Sequence, residues 1–256
     1  MKWLIFLGIA TKPYIGSTAK EKFLALIVEQ ENNDIIFNAD MPQLRVKDYR
    51  AYLNKSMDYS LVPLNIQVAL AQVLPFLPDE TIIELLDCDT CHIRQAPAIN
   101  PQDNQFLVNT LYEDWHLKST TDNKHIIQPY LKNSNFYNGG FVPIVGKAKT
   151  FKTIIQDWTD IHLKIYKANK DPLIRWWAGM YSFQVACVNN SIELAATNQC
   201  YFPNVNNLEE EHYIAHYCCD EQHFNKKTVF KNLKEFNPNN LPDNLYYNTI
   251  RGYLLR

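Results

Sequence analysis

Thr81-Ile82-Ile83-Glu84-Leu85-Leu86-Asp87-Cys88-Asp89-Thr90 is the stretch on which the fold turns. Its first six residues are mostly β-branched or aliphatic, and Pro75 and Pro78 just before them break any helix that would run in. The run reads as a buried strand that ends on two carboxylates. In an open α/β sheet ligands gather at the carboxyl ends of the strands, which is where Asp87 and Asp89 fall. Side chains two residues apart on an extended chain point the same way, so both can face one hard cation and, through it, the phosphates of a substrate. The ordinary alternative is turn chemistry, in which an aspartate after a strand bonds its own backbone two residues on.

Upstream, residues 3–10 (WLIFLGIA) are apolar and read as the first buried strand. Eight such residues are at the short limit of a signal peptide's apolar core and no small-residue cleavage site is evident, so a signal peptide is not expected. A loop at 11–17 follows, marked by Pro13 and Gly16. If the sheet is parallel, Thr11 and Tyr14 leave the strand on the acidic side and can hold a nucleotide base; a plain connector is the alternative. Residues 18–31 have helical spacing and Ile35-Ile36-Phe37 reads as a short strand, giving a βαβ opening. Residues 40–58 mix basic and aromatic side chains, as a partly exposed helix or lid does. Residues 64–74 (LNIQVALAQVL) are a helix leading into the proline loop, with Asn65 near its first turn either capping it or reaching a ligand.

Downstream, residues 96–121 carry Pro97 and Pro101 and little regular pattern outside 104–111. In 133–145 (NSNFYNGGFVPIV) two of the chain's seven glycines are adjacent. Gly139-Gly140 permits a bound group to approach the backbone closely, or simply makes a hairpin turn before a strand at 141–145. Helices are expected over 147–170, ended by Asp171-Pro172, and over 173–188, which contains Trp176 and Trp177. Residues 192–202 read as extended, 213–215 as a short strand ending in His216-Tyr217, and 246–255 as a tyrosine-rich tail. No internal repeat is present.

Composition agrees with one well-packed domain. The chain has 256 residues, of which 46% are hydrophobic and 13% aromatic, enough to bury a substantial core. Twenty-five basic against 27 acidic residues give a formal charge of -2 without blocks of like charge, so no nucleic-acid partner is expected. The six cysteines are scattered, which points to reduced thiols, and the Cys88-Cys91 pair lacks the second pair of a zinc ribbon. No apolar run is long enough to span a membrane. A cytoplasmic, soluble protein is expected.

Asp87, Asp89 and His216 at the end of a late strand form an oxygen and nitrogen donor set suited to Mn²⁺ or Mg²⁺, and Lys226 follows close behind to meet phosphate charge. A buried core role is the ordinary alternative for His216. With LLDCDT, NSNFYNGGFVPIV and IAHYCC followed by FNKK in this order, the chain resembles metal-dependent GT-A glycosyltransferases with the DXD motif. Trp176-Trp177-Ala178-Gly179-Met180-Tyr181, His216-Tyr217 and Phe224-Asn225-Lys226 make it most similar to the hydroxyproline O-arabinosyltransferase-like branch.

The resemblance implies a GT-A-like (Rossmann-like) α/β fold, a mixed sheet flanked by helices in one domain. Residues 1–90 would form its nucleotide-binding half, and 91–256 the acceptor half with the C-terminal metal and phosphate segment. It implies transfer of a sugar from a nucleoside diphosphate donor, UDP-linked, to a hydroxyl of a glycan or glycoprotein. Asp87, Asp89 and His216 would hold the metal, Lys226 the diphosphate, and Thr11, Tyr14 and Asn65 the nucleoside. Asn138, Gly139, Gly140, Trp176 and Trp177 would meet the donor sugar or acceptor. The resemblance also implies an acid before the Met-Tyr pair where this chain has Gly179, so either another carboxylate such as Asp171 or Glu193 would substitute as base or the stereochemistry would differ. A nucleotidyltransferase using the same acidic pair, or an idle glycan-binding domain, are the alternatives. The stem and anchor of a Golgi enzyme are not evident.

Overall fold

The computed structural model describes residues 3–7, 61, 63–86, 90–95, 97, 99–109, 124–132, 141–202, 207–216 and 235–254. The chain divides into two units, each assembled from separated stretches. Unit 1 takes Met1–Gly8, Val46–Leu86 and Asn100–Asn198; unit 2 takes Ile9–Arg45, Asp87–Ile99 and Gln199–Arg256.

Unit 1 is built on a five-stranded mixed sheet. Its strands are β1 (Trp3–Leu7), β2 (Ile82–Leu86), β4 (Gln105–Asn109), β5 (Phe141–Lys147) and β6 (Glu193–Thr197), in the order β1-β2-β5-β4-β6. β1 and β2 are parallel in the register Leu7↔Leu86, and β4 and β6 are parallel in the register Asn109↔Thr197. β5 runs antiparallel to both β2 and β4. The carboxyl ends of β1, β2, β4 and β6 therefore lie together at one end of the sheet. β2 is buried along its whole length, as its apolar run requires. Its last residue, Leu86, precedes Asp87 in the chain.

One face of this sheet is covered by helices. α1 (Leu64–Val73) continues into a 3₁₀ turn at Leu74–Phe76, and a short α2 spans Lys124–Ile127. α3 (Ala148–Ala168) buries Phe151, Ile154, Trp158, Ile161 and Ile165, spaced three and four apart on one stripe. Asp171 and Pro172 do not merely stop α3. Asp171 is the N-cap of α4 (Pro172–Asn189), its carboxylate accepting from the Leu173 N–H at 2.8 Å, and Pro172 takes the first helical position.

Aromatic rings fasten the helices to the strands. Phe106 of β4 lies 4.6 Å from Phe151 and 5.4 Å from Phe183 between ring centres, and Trp158 lies 5.0 Å from Phe183. Each such ring, fully buried, contributes roughly 1.5–3 kcal/mol. The Trp158 indole N–H donates to the Gly179 carbonyl at 2.8 Å, so the ring is satisfied as well as buried. Gly146 of β5 makes this packing possible, since a Cβ there would overlap the Phe106 ring.

At the far end of the sheet, Lys147 and Lys149 each bridge Glu80 and Asp103, while Lys152 pairs with Asp79. Hydrogen bonds from these lysines hold the Glu80 and Asp103 carboxyls below their ordinary range. This solvated network joins the starts of β2 and β4 to the end of β5.

Unit 2 contains a small sheet of β3 (Thr90–His92), β7 (Cys200–Tyr201) and β8 (Ile214–His216), in the order β3-β8-β7. Helix α5 (Leu245–Leu254) follows, over residues read from the sequence only as a tyrosine-rich tail. One further difference stands out. Residues 192–202, expected as one extended piece, supply β6 to one sheet and β7 to the other, while β4 lies within 104–111, the patterned part of its proline-containing segment. The helix expected at 18–31, the strand at 35–37 and the segment at 40–58 lie outside the described residues. No helix among the described residues is long and apolar enough to cross a membrane.

Candidate functional site

β3 begins where the acidic pair ends. Thr90, the chain neighbour of Asp89, pairs with His216 in an antiparallel ladder that continues Cys91↔Ala215 and His92↔Ile214. Directly opposed residues share a face, so the Thr90 and His216 side chains point the same way. Both are buried, and the His216 ring lies 5.1 Å from that of Phe202. Thus a histidine 127 residues after Asp89 in sequence stands beside that aspartate's immediate neighbour.

Arg94 holds this ladder in place. Its Nη1 donates to the carbonyls of Glu210 at 2.9 Å and His212 at 2.7 Å, and also to that of Glu209. The N–H groups of Ile93 and Arg94 both donate to the Tyr213 carbonyl, at 2.8 and 3.3 Å. The segment leading into β8 is therefore fastened to the segment leaving β3. His212 supports the same turn, since the Glu209 N–H donates to its Nδ1 at 2.8 Å. Burial lowers the His212 pKa, and Arg94 lowers it further, against the opposing effect of Glu211 and Glu209. Tyr213 stacks on His92 at 5.8 Å and donates its hydroxyl to Gln199 at 2.8 Å.

Of the residues expected from the sequence to act, Thr11, Tyr14, Asp87, Asp89, Asn138, Gly139, Gly140 and Lys226 lie outside the described residues. Among the described residues no group of three or more His, Cys, Asp and Glu is arranged to hold a metal. Two of the three expected ligands are not in that set. His216, which is, offers an imidazole beside the chain neighbour of a carboxylate, which fits the donor chemistry of a divalent cation.

The remaining expected residues belong to unit 1. Asn65 is buried as the second residue of α1; it is not the cap, a position Pro63 occupies without any side-chain bond. Trp176 packs against the cluster of Leu61, Leu64 and Val68, and Trp177 packs on the main core with its ring edge-on to Tyr181 at 6.4 Å. Both indoles are half-buried. Asp171 gives its carboxylate to the α4 N-terminus, and Glu193 is exposed at the start of β6, an edge strand.

Gly179 faces inward. A Cβ built there would sit 3.5 Å from Gln67 Nε2 and 3.5 Å from His162 Cε1. His162 Nδ1 lies 2.9 Å from Gln67 Oε1, while His162 Nε2 and Gln67 Nε2 find no hydrogen-bond partner among the described residues. Burial lowers the His162 pKa to about 3, so the ring is neutral at neutral pH. Sequence reading passed over this pair, because a histidine and a glutamine 95 residues apart carry no local signal. Of the cysteines whose side chains are described, Cys187 and Cys200 are buried and in no disulfide.

The mixed sheet flanked by helices is that of an α/β fold. The comparison with protein families makes this specific. The model of the hydroxyproline O-arabinosyltransferase family N-terminal domain matches residues 22–196, more than half of the chain, and the chain belongs to that family. The matched stretch includes Asp87, Asp89, Gly139, Gly140, Trp176 and Trp177; His216 and Lys226 lie beyond it. Neither a curated protein nor a solved structure matches the chain.

Proposed function

We propose that the chain is a metal-dependent glycosyltransferase of the GT-A kind. It moves a sugar from a nucleoside diphosphate donor, UDP-linked, to a hydroxyl of a glycan or glycoprotein. The observation that carries the reading is the ladder pairing of His216 with Thr90, next in the chain to Asp89.

Asp87, Asp89 and His216 would hold Mn²⁺ or Mg²⁺, two carboxylates and an imidazole being donors that such ions accept. When bound, the ion offsets the negative charge that grows on the diphosphate as it leaves. The chain's own groups do the rest. The Lys226 ammonium adds charge-assisted hydrogen bonds to the diphosphate, and Thr11, Tyr14 and Asn65 orient the nucleoside. Asn138, Gly139, Gly140, Trp176 and Trp177 position the donor sugar or acceptor, with aromatic faces suited to a sugar's C–H surface. Neither candidate base is favoured by its place in the fold: the Asp171 carboxylate is engaged by the α4 N-terminus, and Glu193 opens β6 at the end of the sheet opposite Leu86 and Asn109.

One observation favours a second reading. The resemblance implies an acid at the place of Gly179, which faces the buried Gln67 and His162. A chain without that acid can keep the fold and bind glycans without turning over. Thermal unfolding with UDP- and GDP-sugars, each with and without Mn²⁺, separates the two. The transferase reading expects a donor shift that requires the metal, with about 2.7 kcal/mol of added stability at a hundredfold excess over Kd. It also expects metal-dependent donor hydrolysis, and both effects should vanish in Asp89→Asn. Glycan binding with no nucleotide shift would leave only the idle domain.

A further inference from the structure

β4 ends on an unusual residue. Asn109 is completely buried, and neither its Oδ1 nor its Nδ2 finds a hydrogen-bond partner among the described residues. Buried amides are almost always paired, because stripping water from a donor or acceptor without replacing it is costly. Here a whole side-chain amide, two N–H donors and one carbonyl acceptor, is left open among the described residues.

Its position narrows the explanation. Asn109 lies at the carboxyl end of β4, level with Thr197 of β6 and Phe141 of β5, at the same end of the sheet as Leu86 of β2. That is the end at which open α/β sheets bind ligands. The ladder is also irregular here. Val108 pairs with Ile144, but Asn109 pairs with Phe141, so Val142 and Pro143 stand between the two rungs. Pro143 has no N–H to give the ladder, and an irregularity of this kind re-aims the adjacent side chain. The nearest hydroxyl on the neighbouring strand is already committed, since Thr197 donates to the Val108 carbonyl at 3.0 Å.

We propose that Asn109 is a ligand-binding residue whose amide takes two adjacent hydroxyls of a sugar ring. A hydroxyl both donates and accepts, so a vicinal pair matches an amide oxygen and an amide nitrogen side by side. The inference rests on the reading of the chain as taking a nucleoside diphosphate sugar, which offers such a pair on the ribose and on the transferred sugar. A group this well covered is reached only when its surroundings move, so association is slower than an open site allows.

The test is Asn109→Val, which keeps approximate size and suits a strand. Binding of UDP, GDP and a panel of UDP- and GDP-sugars in Mn²⁺ is measured alongside the melting temperature of the ligand-free protein. The expected variant melts at or above the wild-type temperature, because an unpaired buried amide is gone, and loses about tenfold or more in affinity. Loss for the bare nucleotide and its sugars alike assigns the ribose; loss for the sugars alone assigns the transferred sugar. A lower melting temperature with unchanged affinities would overturn the inference and mark Asn109 as the partner of a buried water. If Asn109→Val does not fold, Asn109→Ser, which retains one hydroxyl, carries the same comparison of affinity between ligands. A wild type that binds no nucleotide at all defeats the transferase reading itself, and the Asn109 inference with it.

Discussion

Lowering the pH from 7 to 5 should cost the folded chain about 2 kcal/mol through His162 alone. The ring is fully buried in α3, its one hydrogen bond among the described residues runs to Gln67, and desolvation lowers its pKa from 6.5 to about 3. In the unfolded chain the same imidazole titrates near 6.5. Above that pH neither state holds the proton and stability is whole. As the pH falls through 6.5 the unfolded state gains a proton that the folded state refuses, and stability declines by about 1.36 kcal/mol per pH unit until about pH 3. Urea unfolding followed by tryptophan fluorescence at pH 7, 6 and 5 measures the loss. His162→Gln keeps a partner for Gln67 and removes the titration, so its stability should fall by about 2 kcal/mol less over the same range. His212, whose pKa is also lowered, contributes with the same sign to both proteins and cancels in the difference. Parallel curves for wild type and variant would refute the assignment of a neutral, buried His162.

Two glycines should behave in opposite ways. Gly146→Ala drives a methyl into the Phe106 ring and should destabilise by roughly 1–3 kcal/mol, whereas Gly179→Ala meets only ordinary contacts in a helix interior and should gain up to about 1 kcal/mol. Calorimetry of both variants checks the contrast, and equal effects would contradict the packing described for β4 and β5. Asp171→Ala should cost about 1 kcal/mol for a lost helix cap and leave sugar transfer untouched. A hundredfold fall in kcat with an intact fold would instead make that carboxylate the base.

Much of this architecture is legible in local sequence. The short, β-branched apolar run between Pro78 and Asp87 reads as a strand, and it is β2. The spacing of Phe151, Ile154, Trp158, Ile161 and Ile165 gives α3 its buried stripe, and Asp171-Pro172 supplies both cap and first residue of α4. These signals are local because helix and strand periods and cap chemistry depend on neighbours a few positions apart. The aspartate pair and His216 were likewise visible as candidates, since each closes a strand-like run.

What the residues do to one another needed the fold. That residues 192–202 serve two different sheets follows from the partners each half finds, which no window of sequence contains. The tail over 245–254 is helical although its sequence read only as tyrosine-rich. Asn65, expected either to cap its helix or to reach a ligand, is not the cap, because Pro63 takes that position. His216 acquires its meaning from standing opposite Thr90, and Gly179 from facing His162 and Gln67 across a helix interface. Asn109 is the sharpest case. Its sequence context is that of any polar residue ending a strand, and only the fold, with its skipped rung beside Pro143 and complete burial, leaves its amide without a partner among the described residues at the carboxyl end of the sheet. Local physics fixes where the chain is helical or extended; which polar groups end up buried, and against what, is settled by contacts between residues distant in sequence.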